Sequence, residues 1–426
     1  MQHPHSSNVP HLTTALSGPL QKLEKVFLNE QVKIEAWLRE QWYKTPAPIM
    51  GSVDLRNAGF KLAPVDTNLF PAGFNNISGE FLPLAVQAAQ ATLSQMFPCT
   101  KRLLLIPENH TRNIHYFESV AGLIGILHKA GFEVRVGSLI ESMKTTTVDL
   151  PSGRTLTLEP VQRVGDRLIL EGYEPCVIIL NNDLSEGIPD ILQDIQQPIV
   201  PPMQLGWASR LKSQHFEHYQ AVAEELAEQL QIDPWLINPL FDNCGEVDFI
   251  SHAGEDCVAM KVDALLAQIQ AKYNEYEITQ APYVVVKADA GSYGMGVMRV
   301  RNGEEIYNLN RKQRVKMAST KGQKVSRVII QEGVYTFETV GPDSAVAEPV
   351  VYMLGQYVIG GFYRVHTERG IDENLNAPGM HFEPLAFASC CNTPDLAKDP
   401  HDEPNRFYAY GVVARLALLA AAREAQ

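Results

Sequence analysis

Along the first third of the chain, the spacing of apolar side chains changes period several times. Over 20–42, Leu23, Phe27, Ile34, Trp37 and Leu38 recur at helical spacing, and Pro46 and Pro48 close the segment. Segments 52–57 and 61–76 then alternate apolar and polar residues like strand ends, with polar members rich in Asp, Arg and Asn. A helix is predicted over 81–97, a buried strand over 102–107, a helix over 116–130 stopped by Gly131, and a strand over 133–136. A β-rich patch follows at 155–170, and another buried strand at 176–180 ends in Asn181-Asn182-Asp183. This is β-α-β order, with polar clusters at the carboxyl ends of strands, where open α/β sheets leave their ligand crevice. The prolines of 198–202 mark a boundary, a helix is predicted over 219–230, and strands dominate 282–354. The chain is therefore expected to be α/β (α+β). Its expected parts are an N-terminal α/β domain at 1–200, a connecting helical segment at 201–281, and a C-terminal domain at 282–426.

Composition narrows the function. With 426 residues, 45% hydrophobic and 20% charged, the chain can bury a large core in two or three domains. A net charge of −13 argues against a general binder of nucleic acid or anionic membrane. Cys99, Cys176, Cys244, Cys257, Cys390 and Cys391 show no C-x-x-C spacing and suggest no disulfide framework, so a reduced, cytoplasmic compartment is expected. The first ten residues have neither the basic start nor the apolar core of a signal peptide. The run 412–422 is apolar but too short to span a membrane.

The densest chemistry lies at 283–297. A strand of β-formers, Tyr283-Val284-Val285-Val286, delivers Lys287 to a loop carrying Gly291, Ser292, Gly294 and Gly296. Such glycines let backbone N–H groups approach phosphate oxygens, and the strand aims the ammonium at one point. The lysine precedes the glycines, which sets the segment apart from a P-loop and from G-x-G-x-x-G. A strand ending in a hairpin with a solvated lysine would leave the same pattern, so its companions matter. The segment 328–334 is an apolar strand ending in Gln331 and Glu332 before Val334. Segments 348–354 and 357–365 form a predicted hairpin around Gly355, with Glu348 suited to a Mg²⁺ ion and Arg364 to phosphate or carboxylate. The same two side chains would also serve as a cross-strand ion pair. Asn374 and Asn376 sit at i and i+2, which in an extended chain puts both amides on one face toward a shared metal.

In this order, Lys287 and its glycines, the 328–334 strand, Glu348, Arg364 and the paired asparagines resemble the ATP-grasp fold of the glutathione synthetase group. With 64–76 and 374–384 added, the chain from about 52 to 385 resembles the proteobacterial ATP-grasp-type glutamate–cysteine ligases. The resemblance implies that Lys287 binds ATP phosphates under a mobile cover made by Gly294 and Gly296. It also implies a strand at 331–334 whose main chain reads the adenine, and metal ligands at Glu348 and Asn376. An earlier nucleotide-binding lysine of related synthetases is matched by Lys212. One departure stands out: the synthetase pattern has Glu-x-Asn where this chain has Asn374-Leu375-Asn376, which removes one carboxylate and leaves Asp372 or Glu373 as substitutes.

The implied reaction uses ATP and Mg²⁺, with two ions expected. It activates the γ-carboxylate of L-glutamate as an acyl phosphate and joins it to L-cysteine. Lys212, Lys287 and Arg364 would lower the repulsion between carboxylate and triphosphate. The polar N-terminal loops supply substrate candidates: Arg56 and Arg112 for the α-carboxylate, Asp54, Asp66 or Glu108 for an ammonium, and Asn68 beside them. The alternatives are a glutathione synthetase-like peptide ligase on the same scaffold, or a nucleotide-binding module without turnover. No nucleic-acid or membrane partner is expected, and self-association is left open.

Overall fold

A computed structural model describes residues 12–13, 18–109, 113–291, 296–320, 323–385 and 406–426. Among these, three main sheets surround one cleft. A six-stranded sheet runs in the order Ile199–Val200, Val177–Asn181, Arg102–Pro107, Glu133–Ser138, Thr155–Pro160, Thr146–Asp149, parallel except for its last pairing. Its central strands are continuous apolar runs, as a sheet covered on both faces requires. A four-stranded antiparallel sheet aligns Phe241–Gly245, Arg327–Glu332, Val284–Ala288 and Val297–Val300.

The seven-stranded sheet joins parts of the chain that are far apart in sequence. Strand Ala345–Leu354 pairs with Tyr357–His366 on one edge and with Met50–Asn57 on the other, and Met50–Asn57 pairs in turn with Leu62–Asn68. The hairpin predicted around Gly355 is present, with Leu354 opposite Tyr357 and Glu348 directly opposite Arg364. The register of Met50–Asn57 on Leu62–Asn68 shifts by one residue after Asp54, which re-aims the polar side chains of this ribbon.

The helix predicted over 20–42 is two helices, Pro19–Asn29 and Gln31–Lys44, separated at Glu30 by backbone at φ −97°, ψ 14°. Helix Lys212–Leu230 starts seven residues before the apolar periodicity announces it, so Lys212 is its first residue. Helix Glu255–Glu275 has no counterpart in the pattern reading; it follows Gly254 at φ 77°. Helix Arg406–Glu424 is enclosed nearly all round, with Val412, Val413, Leu416, Leu418 and Leu419 at 0% exposure. A helix apolar on every face has to be central or in a membrane, and this one is central. No described helix is long and apolar enough to cross a membrane.

The cysteine expectation is corrected. Cys244, on the strand edge, and Cys257, in the first turn of Glu255–Glu275, form a disulfide with Cα atoms 6.5 Å apart. The 13-residue spacing hid the pair, because a folded-back connection rather than a short motif brings the two together. Cys99 and Cys176 are free, and Cys390 and Cys391 lie outside the described residues.

Candidate active site

All three sheets contribute to one cavity of about 660 Å³. Of the described candidates, every one except Gly296 lines it: Asp54, Arg56, Asp66, Asn68, Glu108, Lys212, Lys287, Gly291, Gln331, Glu332, Val334, Glu348, Arg364, Asn374 and Asn376. Arg112, Ser292 and Gly294 lie outside the described residues.

One end of the cavity is cationic. Lys287, at the end of its strand, donates to the Val65 carbonyl at 2.7 Å. Lys212 donates to the Gly291 carbonyl at 2.5 Å and lies 3.9 Å over the Trp207 ring. Gly291 sits at φ +91°, a conformation that L side chains rarely adopt. Burial pushes Lys287 down to about 8, against the opposing charge of Asp66. It lowers Lys212 as well, again with Asp66 opposing. Burial acts to raise Asp66, but Lys212 and Lys287 hold it below the ordinary carboxylate value. Asp66 thus shares its electrostatic environment with two of the protein's own ammonium groups.

Asp289, two residues after Lys287, went unread in the sequence. It is fully buried, and its carboxylate accepts from the Ser213 N–H and hydroxyl, both at 2.7 Å, while its carbonyl accepts from the Lys212 N–H at 2.8 Å. It caps the helix Lys212–Leu230 from another part of the chain, satisfying N–H groups that a helix start leaves open. The signal was its place in Lys287-Ala288-Asp289; its partner was not visible.

The cavity floor is a chain of alternating charges. Arg364 Nη1 donates to Asp54 at 3.0 Å and to Glu348 at 2.5 Å, and Glu348 also accepts from Arg56 Nε at 3.1 Å. The cross-strand ion pair is thus present. Burial opposes the charge of Arg364, yet Asp54 and Glu348 raise its pKa above the usual guanidinium value, while burial raises Asp54 despite Arg364. Arg56 is 7% exposed and donates further to the Tyr283 hydroxyl at 3.3 Å, to the Val334 carbonyl at 3.2 Å and to the Glu373 carbonyl. Arg56 thereby ties the seven-stranded sheet to the end of the 327–332 strand and to the asparagine loop. In that loop Leu375 is wholly buried, whereas Asn374 and Asn376 on either side are exposed toward one face, and Asn374 Oδ1 accepts from the Asn376 N–H at 2.9 Å.

At the end of the Arg327–Glu332 strand, Gln331 is 2% exposed and its amide nitrogen has no protein partner. Gln331 lines the cavity, but this nitrogen is itself shielded from it. The Glu332 carboxylate is already engaged by Lys61 at 2.5 Å, the Trp235 indole at 3.1 Å and the Leu240 N–H at 2.9 Å, and its own N–H donates to the Leu240 carbonyl at 2.7 Å. Glu108 and Asp183 reach the cavity from the carboxyl ends of two adjacent parallel strands, the place the β-α-β order predicts. Asn68 accepts from the Phe70 N–H at 2.9 Å, closing a turn. Trp207, Arg299 and Lys316 also line the cavity and were not singled out from the sequence.

The glutamate-cysteine ligase family (GshA) matches residues 24–425. The chain belongs to this family. A protein from Methylobacillus flagellatus KT, provisionally named gamma-glutamylcysteine synthetase, has a solved structure 58% identical to it, with a TM-score of 0.91 over 99% of both chains. Similarity of a much lower order reaches two further solved structures. A glutathione synthetase-like effector from Globodera pallida is 10% identical with a TM-score of 0.40, covering 82% of this chain and 80% of its own. D-alanyl-alanine synthetase A from Vibrio cholerae is 11% identical with a TM-score of 0.35, covering 74% and 81%. No curated protein matches the sequence. This glutamate–cysteine ligase is an ATP-dependent enzyme joining glutamate to cysteine.

Proposed function

We propose that this ligase makes γ-glutamylcysteine in the 660 Å³ cavity through γ-glutamyl phosphate. The observation that carries the reading is that Lys212 and Lys287, from separate segments, line the same cavity together with the half-buried Asp66. Two desolvated ammonium groups held side by side form a strong anion site, and a triphosphate supplies the charge they lack. Adenine would lie along 331–334, where Gln331, Glu332 and Val334 line the cavity. The glutamate γ-carboxylate oxygen takes the γ-phosphoryl group, and ADP leaves. The cysteine amine then attacks the acyl carbon, the C–O bond to phosphate breaks, and the amine proton leaves to solvent. Arg364, on the floor between Asp54 and Glu348, is positioned to accompany the charge that develops on the transferring group.

The donor set fits a magnesium ion carried in with the triphosphate. Among the described residues no three His, Cys, Asp or Glu side chains converge as a resident metal cage. Oxygen donors do line the cavity at Glu348, Asn374 and Asn376, and Mg²⁺ is commonly held by one or two carboxylates plus substrate phosphates. Bound there, Mg²⁺ would neutralise phosphate charge. Glu348 is the ligand we assign first, with Asn376 beside it.

The test is mass spectrometry of the products from glutamate, cysteine and MgATP. The reading expects γ-glutamylcysteine, ADP and phosphate in equal amounts; AMP and pyrophosphate would rule out the acyl-phosphate route.

A further inference from the structure

The last helix of the chain reaches the cationic end of the cavity from behind. Glu424, in the final turn of Arg406–Glu424, is 6% exposed at its side chain and grips Arg210 in a fork, with Nε donating at 2.7 Å and Nη2 at 3.0 Å. The same carboxylate contacts His215 Nδ1, and His215 Nε2 meets the Thr67 hydroxyl at 2.9 Å. Arg210 also donates to the Thr67 carbonyl at 2.7 Å and stacks 5.1 Å from the Trp207 ring. Burial acts to raise the Glu424 carboxyl, but Arg210 and His215 hold it far below the usual range, so it is a fixed anion.

The three residues that Glu424 braces lie within three positions of a residue of the site. Arg210 precedes Lys212 by two positions and His215 follows it within one helical turn. Thr67 lies between Asp66 and Asn68 on one strand, where side chains alternate between faces, so Asp66 and Asn68 reach the cavity while Thr67 turns to the brace. One carboxylate thus holds, from the rear, the two backbone segments whose front faces carry Lys212 and Asp66.

We infer that Glu424 is a positioning residue for the nucleotide: through Arg210, His215 and Thr67 it sets the spacing of Lys212 and Asp66, and with them the anion site shared with Lys287. The inference rests on the reading of Lys212 and Lys287 as phosphate-binding. It gives the C-terminal end of the chain a role in affinity that is separable from its role in packing. Glu35 supplies the comparison, because it anchors the same helix by accepting from Arg415 at 2.7 and 2.8 Å and from Tyr408 at 2.9 Å without lining the cavity.

The experiment is calorimetric titration of the full chain with MgADP, alongside melting temperatures and KM values for ATP and glutamate. E424Q keeps the shape and removes the charge; it should raise the Kd for ADP by about tenfold and the KM for ATP in step, with KM for glutamate little changed. T67V should raise Kd by about threefold. E35Q should lose melting temperature and hold Kd within about twofold. Equal Kd shifts in E424Q and E35Q at matched loss of melting temperature overturn the inference. If E424Q does not fold, T67V decides, an unchanged Kd overturning the inference and a raised one supporting it. A wild-type chain that binds no ADP would instead refute the phosphate reading beneath it.

Discussion

At the scale of single residues, what a side chain pairs with matters more than its type. Lys287 sits in a local motif and was legible, because strand, lysine and glycines are adjacent in sequence. Lys287→Ala should cut kcat/KM for ATP by about 10²–10³, the cost of removing one preorganised charge-stabilising donor; wild-type kinetics from a folded variant would remove Lys287 from the site. Burial also moves this lysine down to about 8, with Asp66 and Asp54 opposing that shift and Lys212 and Arg56 adding to it. Below that pH the ammonium is present, and above it the charge is lost. The affinity for ADP, measured without amino acids so that their own titration does not intrude, should therefore weaken as pH rises through about 8. In Lys287→Arg the guanidinium stays charged and this limb should vanish; a limb shared by both proteins would assign the titration to another group. Arg56 was legible as a residue of the site, but not as the partner of Glu348, which lies 292 positions away. Its donors meet groups of the protein, so Arg56→Met should lower stability by about 3–5 kcal/mol, the cost of breaking a buried pair. Denaturant unfolding measures this, and a drop below 1 kcal/mol would mean that Arg364 compensates Glu348 alone.

At the scale of elements, periodicity located most helices and strands and misplaced the ends that matter for chemistry. The strand over 102–107 and the hairpin at 345–366 follow from apolar runs and a turn glycine. The start of Lys212–Leu230 does not, because Lys212, Ser213 and Gln214 offer no apolar spacing; the cap comes from Asp289, 76 residues later in the chain than Ser213. A cap supplied in trans joins helix position to the phosphate loop. Asp289→Ala should therefore cost about 1–2 kcal/mol of stability, as lost caps do, and should also raise KM for ATP because Lys212 is the first residue it releases. A loss of stability with an unchanged KM would show that Asp289 caps the helix without placing Lys212.

At the scale of the whole molecule, pairings between distant segments decide which part of the chain can stand alone. Chain order suggested parts at 1–200, 201–281 and 282–426, and no periodicity in a sequence reveals that Asp54 sits opposite Val350. In the structure, Met50–Asn57 covers an edge of Ala345–Leu354 through registers from Asp54–Val350 to Met50–Leu354. Helix Arg406–Glu424 is enclosed partly by the N-terminal helices, with Glu35 on Arg415 and Tyr408 and with Gln41 on Arg423. A fragment of residues 201–426 would lose that partner strand and expose an apolar edge carrying Val351 and Met353, a template for aggregation. It would also uncover a helix apolar on nearly every face. The fragment expressed alone is expected to be insoluble or to show no cooperative melting, and co-expression with residues 1–200 is expected to restore a soluble complex that binds MgADP. A fragment 201–426 that melts cooperatively and binds ADP unaided would show that the nucleotide site is complete without the 50–68 ribbon. Asp66, which lies on that ribbon and lines the cavity with Lys212 and Lys287, is the reason to expect otherwise.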